Sequence, residues 1–189
     1  MRTRNIVLVI LMTSFFMTSY GQSYHHAIGG QIAVGFFRHE NSAFIDESNP
    51  YVPGAVYKAT LLLSDNFGVS AYPFVGLSGS ANSRSGASGS IGIELPVVAE
   101  MYLGDIDENC FFFGAGISYG LLGDSYSGSG SVFGPQVGLG GQFEIQGQLI
   151  GARASFTYGL NKSDKIGGLE WTTDSNNLVS IAAFYVLGH

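Results

Sequence analysis

The amino-acid sequence predicts an all-β protein: an eight-stranded, antiparallel, up-and-down transmembrane β-barrel behind an N-terminal signal peptide. Three observations carry that expectation. Apolar residues alternate with a period of two from His25 onward. The opposite face is built of Gly, Ser, Ala, Gln and Thr rather than of charges. The connections alternate between long and short. Composition removes the competing classes. Of 189 residues, 46% are hydrophobic and only 12% charged, where a soluble domain carries about 25%. Disorder needs low hydrophobicity and high charge. A helical membrane protein needs long apolar spans, and none follows the first two dozen positions. One cysteine, Cys110, excludes a disulfide-stapled miniprotein.

Residues 1–21 read as a secretory signal, with residues 22–189 forming the barrel. Arg2 and Arg4 make a basic start, Ile6–Met12 opens an apolar stretch that runs through Phe15, Phe16 and Met17, and Ser19 and Gly21 are the small residues before a cut at Gln22. Removing the leader takes two of the 8 basic residues and leaves 6 against 14 acidic ones, net −8. Such a chain offers nucleic acid no electrostatic attraction.

Eight segments follow, each with its large apolar residues on one parity. The first, 26–37, carries Ile28, Ile32, Val34 and Phe36; the second, 55–64, carries Tyr57, Leu61 and Leu63. The third, 67–78, shows Phe67, Val69, Val75 and Leu77. The fourth, 91–103, shows Ile91, Ile93, Leu95, Val97, Met101 and Leu103. In the fifth, 110–122, Phe111, Phe113, Ile117, Tyr119 and Leu121 face Gly114, Gly116, Ser118 and Gly120. The sixth, 132–145, carries Phe133, Val137, Leu139, Phe143 and Ile145. The seventh, 149–160, carries Ile150, Phe156, Tyr158 and Leu160, and the eighth, 178–187, Val179, Ile181, Tyr185 and Leu187.

A solvated face carries many charges, and the small-residue parity does not. A narrow lumen explains it, because eight strands leave room only for side chains; the fatty parity then meets lipid. Loop phase agrees: Arg38–Gly54, Gly79–Ser90 and Asn161–Asn177 are long and Gly123–Ser131 is medium, while Asp65–Asn66, Gly104–Asn109 and Gln146–Gln148 are short. Bacterial barrels pair short periplasmic turns with longer outer loops. Outward aromatics are expected in two interface belts: Phe36, Tyr57, Tyr119, Phe133 and Tyr158 at the outer end, and Phe67, Phe111, Phe113, Phe143 and Tyr185 at the periplasmic end. Pro73, Pro96 and Pro135 fall inside segments and imply bulges.

With these features the chain resembles the small eight-stranded outer-membrane barrels of Gram-negative bacteria, the superfamily that includes the OmpA-like transmembrane domain. The resemblance is one of architecture over the whole mature chain. It implies anchoring, adhesion or surface-stabilising roles, with few enzymes, and an outer-membrane location. The terminal Tyr185-Val186-Leu187-Gly188-His189 departs from the aromatic end that such barrels commonly carry.

Five charges fall on the inward parity: Lys58, Glu94, Glu100, Glu144 and Arg153. Buried charges must be paired, so Lys58 is expected with Glu94, and Arg153 with Glu100 or Glu144, as a structural plug; an ion path is the functional alternative. His25 and His26 point oppositely and cannot share a metal. Asp105–Asn109 opens like a calcium loop, but Cys110 and Gly116 stand where glycine and glutamate are needed, so no metal or cofactor is expected. Phe44, Tyr51, Leu169 and Trp171 are the outer-loop contact candidates. The expected function is a monomeric, non-enzymatic membrane protein whose partners are outer-membrane lipid and a surface ligand. The alternatives are a soluble barrel with an apolar ligand inside, a narrow channel, and a rim hydrolase using His39, Asp46 and Ser125.

Overall fold

The computed structural model describes residues 23–40, 45–80, 88–124, 128–160, 163–166 and 169–188. The expected leader and its cut lie outside them. The strands are β1 (Tyr24–Glu40), β2 (Ile45–Ser48), β3 (Tyr51–Ser64), β4 (Phe67–Ala71), β5 (Phe74–Ser80), β6 (Ser88–Gly104), β7 (Cys110–Asp124), β8 (Gly128–Ile145), β9 (Gln148–Tyr158), β10 (Ser163–Ile166) and β11 (Leu169–Gly188). Neighbours pair antiparallel, and β1 pairs with both β3 and β11, which closes the sheet. Eight staves form the wall, since β4 and β5 are two halves of one stave between β3 and β6. The short β2 and β10 extend the sheet above it.

The stagger of the barrel can be read from its registers. From Leu61 the row runs through Val69, Ala99, Ala115, Val137, Phe156, Val179 and Val34, and returns to β3 at Tyr51, ten residues above its start. A stagger of that size tilts the strands by about 40°. Every residue in the row has the outward parity. The outward set is exposed or half-buried, from the exposed Ile28, Ile32, Leu139, Ile181 and Leu187 to the half-buried Val34, Leu61, Val69 and Val179. The inward set is buried over most of its length, and opens near the strand ends, where Leu62 is half-buried and Glu144 exposed.

Phe111 and Tyr119 lie eight residues apart on β7, about 26 Å along the strand and about 20 Å along the tilted axis. That matches an apolar band about 25 Å tall. Tyr119 pairs with Phe133, and Phe36 and Tyr158 both pair with Asn177, near the long-loop end. At the other end Phe67 and Phe113 flank Met101, and Phe111 meets Phe143 edge-on at 5.3 Å. Tyr57 departs from the expected outer belt. It pairs with Ile28, which pairs on its other side with Tyr185. The stagger lowers β3 against β1, so Tyr57 belongs to the short-turn half.

The prolines are not accommodated by bulges. No register shift occurs at Pro96 or Pro135. Pro73 and Tyr72 separate β4 from β5, and Pro96 lies on β6 opposite that gap, so two missing donors share one interruption. Tyr72 N–H donates to Pro96 O at 3.1 Å and Tyr57 N–H to Pro73 O at 3.0 Å, which keeps the gap bonded. Pro135 sits where β8 leaves β9, whose register begins at Gln136. The strands also outrun the expected segments at the loop end: β3 begins at Tyr51 and β11 at Leu169.

Inward glycines make room for large inward side chains on the next stave. Phe184 pairs with Gly151, and a Cβ there would overlap the Phe184 ring. Gly138 likewise leaves space that a Cβ would take from the Arg153 guanidinium, at 2.8 Å. Gly151→Val is therefore expected to lower stability by about 1–3 kcal/mol through overpacking. Urea unfolding in liposomes would check this; an unchanged midpoint would show that Phe184 has a second place to go.

Candidate functional site: the filled lumen and the outer rim

The lumen is stacked in layers. At the long-loop end an apolar cluster includes Phe37, Val52, Val56, Phe74, Leu122, Val132 and Leu178. At the short-turn end Ala27, Tyr102, Ile106, Cys110, Phe112 and Phe184 form a second. Tyr102, Cys110 and Phe184 were expected on the inward parity; the other large apolar residues, such as Phe37, Phe74, Phe112, Leu122 and Leu178, were not expected from a face read as mostly small and polar. The Phe111-Phe112-Phe113 run hides one of them, since it is fatty on both faces.

Among these side chains lie four buried charges: Lys58 and Arg153 at 4% exposure and Glu94 and Glu100 at 1%. Lys58 does not lie with Glu94 as expected; both cations lie beside Glu100, one of the two partners expected for Arg153. Lys58 Nζ lies 3.4 Å from Glu100 Oε2, and Arg153 Nε lies 3.9 Å from Glu100 Oε1. Glu100 also accepts from Ser70 at 2.6 Å, Tyr102 at 2.6 Å and Tyr72 at 2.5 Å. Lys58 Nζ is boxed by the rings of Tyr72, Tyr102, Phe112 and Phe184, the nearest centroid 4.3 Å away. Arg153 lies 4.1 Å over the Tyr72 ring. Cation–π attraction of this kind gains strength in a desolvated interior.

Glu94 has no cation in contact among the described residues. Neutral donors surround it instead: Gln31 Nε2 at 2.8 Å and Ser180 Oγ at 2.9 Å on one oxygen, Gln136 Nε2 at 3.0 Å and Ser118 Oγ at 3.2 Å on the other. They come from β1, β11, β8 and β7. Gln136 Oε1 accepts from Arg153 Nη2 at 2.9 Å, which joins the two carboxylates in one network. Glu144, expected in the lumen, is exposed. Its parity is inward, but it lies next to the β8 terminus, past the packed interior; its N–H donates to Asn109 Oδ1 at 3.0 Å.

The turn after β6 closes the short-turn mouth. Gly104 takes φ +114°, where a side chain is strained, and the chain folds Ile106 inward to 6% exposure. Gln142 Nε2 donates to Ile106 O, and Asp107 N–H to Asp105 Oδ1 at 2.9 Å. His25 Nδ1 reaches Asp107 Oδ1 at 3.5 Å. Cys110 is buried among this cluster. Among the described residues no group of His, Cys, Asp and Glu is arranged to hold a metal.

On the rim, Tyr51 is 53% exposed. Leu169 and Trp171 fall on β11, opposite Ile166 and Asp164; their side chains, and all of Phe44, lie outside the described residues. Backbone pairing sets His39 opposite Asp46, whereas Ser125 lies outside the described residues.

No family model matches the chain, and no curated protein does. Solved structures match it in fold. Neisserial surface protein A (NspA) is 12% identical, covers 90% of this chain and 100% of its own, and superposes with a TM-score of 0.57. The outer membrane protein OprG from Pseudomonas aeruginosa is 11% identical over 89% and 98%, at 0.55. The outer membrane protein AlkL, solved in DMPC lipid bilayers, is 14% identical over 91% and 94%, at 0.52. The fold is that of the small eight-stranded outer-membrane β-barrels. Its fatty surface is turned outward, so the soluble barrel with an apolar ligand inside does not describe it.

Proposed function

We propose that the chain is an integral outer-membrane protein of a Gram-negative bacterium, monomeric and non-enzymatic, that acts through its outer rim. The observation that carries this reading is the filled lumen. Two apolar clusters lie with four buried charges, in which two cations and two carboxylates balance. Among the described residues these side chains fill the centre of the barrel, so contact with the outside falls to the rim around Tyr51, Leu169 and Trp171. The lipid partner follows from the outward band of Ile, Leu, Val and Phe.

Fractionation tests the first part. The protein should enter the outer-membrane fraction and migrate differently on gels before and after boiling. Full solubility in plain buffer with identical migration overturns the reading. For the second part, a Tyr51→Ala/Trp171→Ala double variant should retain gel migration and membrane location while surface binding by whole cells drops. Unchanged binding assigns the contact elsewhere.

A further inference from the structure

We infer that His26 and Tyr57 form a site on the outer wall for the phosphodiester headgroup of a phospholipid, in the leaflet at the short-turn end. The inference rests on the membrane-spanning reading above. Histidine is out of place on a face otherwise made of Ile, Leu, Val and aromatic residues. β1 sends His25 into the lumen and His26 outward, where it is only half-buried.

The imidazole is held from two sides. Its ring stacks on Tyr57 at 5.8 Å and 19°, and on Tyr24 at 6.5 Å and 14°. Tyr57 Oη lies 2.5 Å from His26 Nδ1. A phenol is the stronger donor and an imidazole nitrogen the stronger acceptor, so Tyr57 donates and the ring proton stays on Nε2. That leaves Nε2–H as the one polar atom of His26 without a partner among the described residues.

Depth decides what can accept from it. His26 pairs with Ala59 and Gly188, one outward position below the Tyr57–Ile28–Tyr185 row. This is the level of the short-turn aromatic belt, where hydrocarbon gives way to headgroups. A donor left bare in hydrocarbon is costly. The strongest acceptors at that level are anionic phosphodiester oxygens, and charge-assisted bonds to them are short and strong. The stacked tyrosines fix the imidazole plane and so present the donor in one direction.

The test is solid-state NMR on protein labelled with 15N-histidine in phospholipid bilayers. Dephasing of the His26 Nε2 signal by 31P is expected, and its loss in His26→Phe. Tyr57→Phe should move part of the proton to Nδ1 and weaken the dephasing. Full dephasing that survives either variant, or contact with water alone, overturns the site. Contacts between Val137 methyls and lipid acyl chains serve as the reference. If they are present while 31P dephasing is absent, the barrel is in the bilayer and only the headgroup site falls. If both are absent, the membrane reading falls and the site with it. In a phosphate-free maltoside detergent, inorganic phosphate should leave the Nε2 shift unchanged; a saturable shift would assign the site to a free anion and overturn the lipid.

Discussion

Glu100→Ala is expected to cost about 3–5 kcal/mol of stability, because it leaves buried cations without their counter-charge. Lys58 keeps its aromatic box and Arg153 keeps Tyr72, but Glu100 is the only carboxylate within contact of Lys58 among the described residues. The hydroxyls of Ser70, Tyr72 and Tyr102 lose their acceptor as well. Lys58→Met should be milder, since Glu100 retains Arg153 and those hydroxyls. Removing both charges, as Lys58→Met with Glu100→Leu, should recover part of the loss, because Lys58 is no longer orphaned while Arg153 and the three hydroxyls still lack their carboxylate. Urea unfolding in liposomes, read by gel migration, ranks the three variants. A double variant no more stable than Glu100→Ala would show that the pair itself, and not relief of an orphaned charge, holds the layer together.

The second large effect concerns the outer wall. Val137 is 56% exposed and lies on β8 between Phe133 and Phe143. Val137→Arg should destabilise the barrel by about 2–4 kcal/mol in a bilayer, falling to about 0–1 when the same arginine replaces Ile145, past the belt. An exposed site in water would tolerate either change equally. Equal midpoints for the two variants would therefore contradict a lipid-facing wall as directly as any localisation experiment.

The wall was legible because its chemistry is local. Alternation, loop phase and the run of outward Ile, Leu, Val and Phe all follow from one residue facing lipid and the next facing in. The lumen was legible only in part. Lys58, Glu94, Glu100 and Arg153 have the inward parity, but their partners lie across the barrel on distant staves. Gln31 and Ser180 approach Glu94 from 63 and 86 residues away. Which charge meets which depends on the ten-residue stagger, and no segment carries that number by itself. The same stagger lowers Tyr57 out of the expected belt. Glu144 shows a further limit: parity assigns a face, not a depth, and near a strand end the inward face has no lumen beside it. In the β3 extension the inward Val52 is as apolar as the outward Tyr51, so the alternation fades there although Val52 is buried.

The ring of donors about Glu94 is complete only once the barrel has closed. One donor comes from the first stave and one from the last, so a ribbon whose two ends have not met leaves Glu94 with Ser118 and Gln136 alone. A copy truncated before Ser180 would lack one of these four donors.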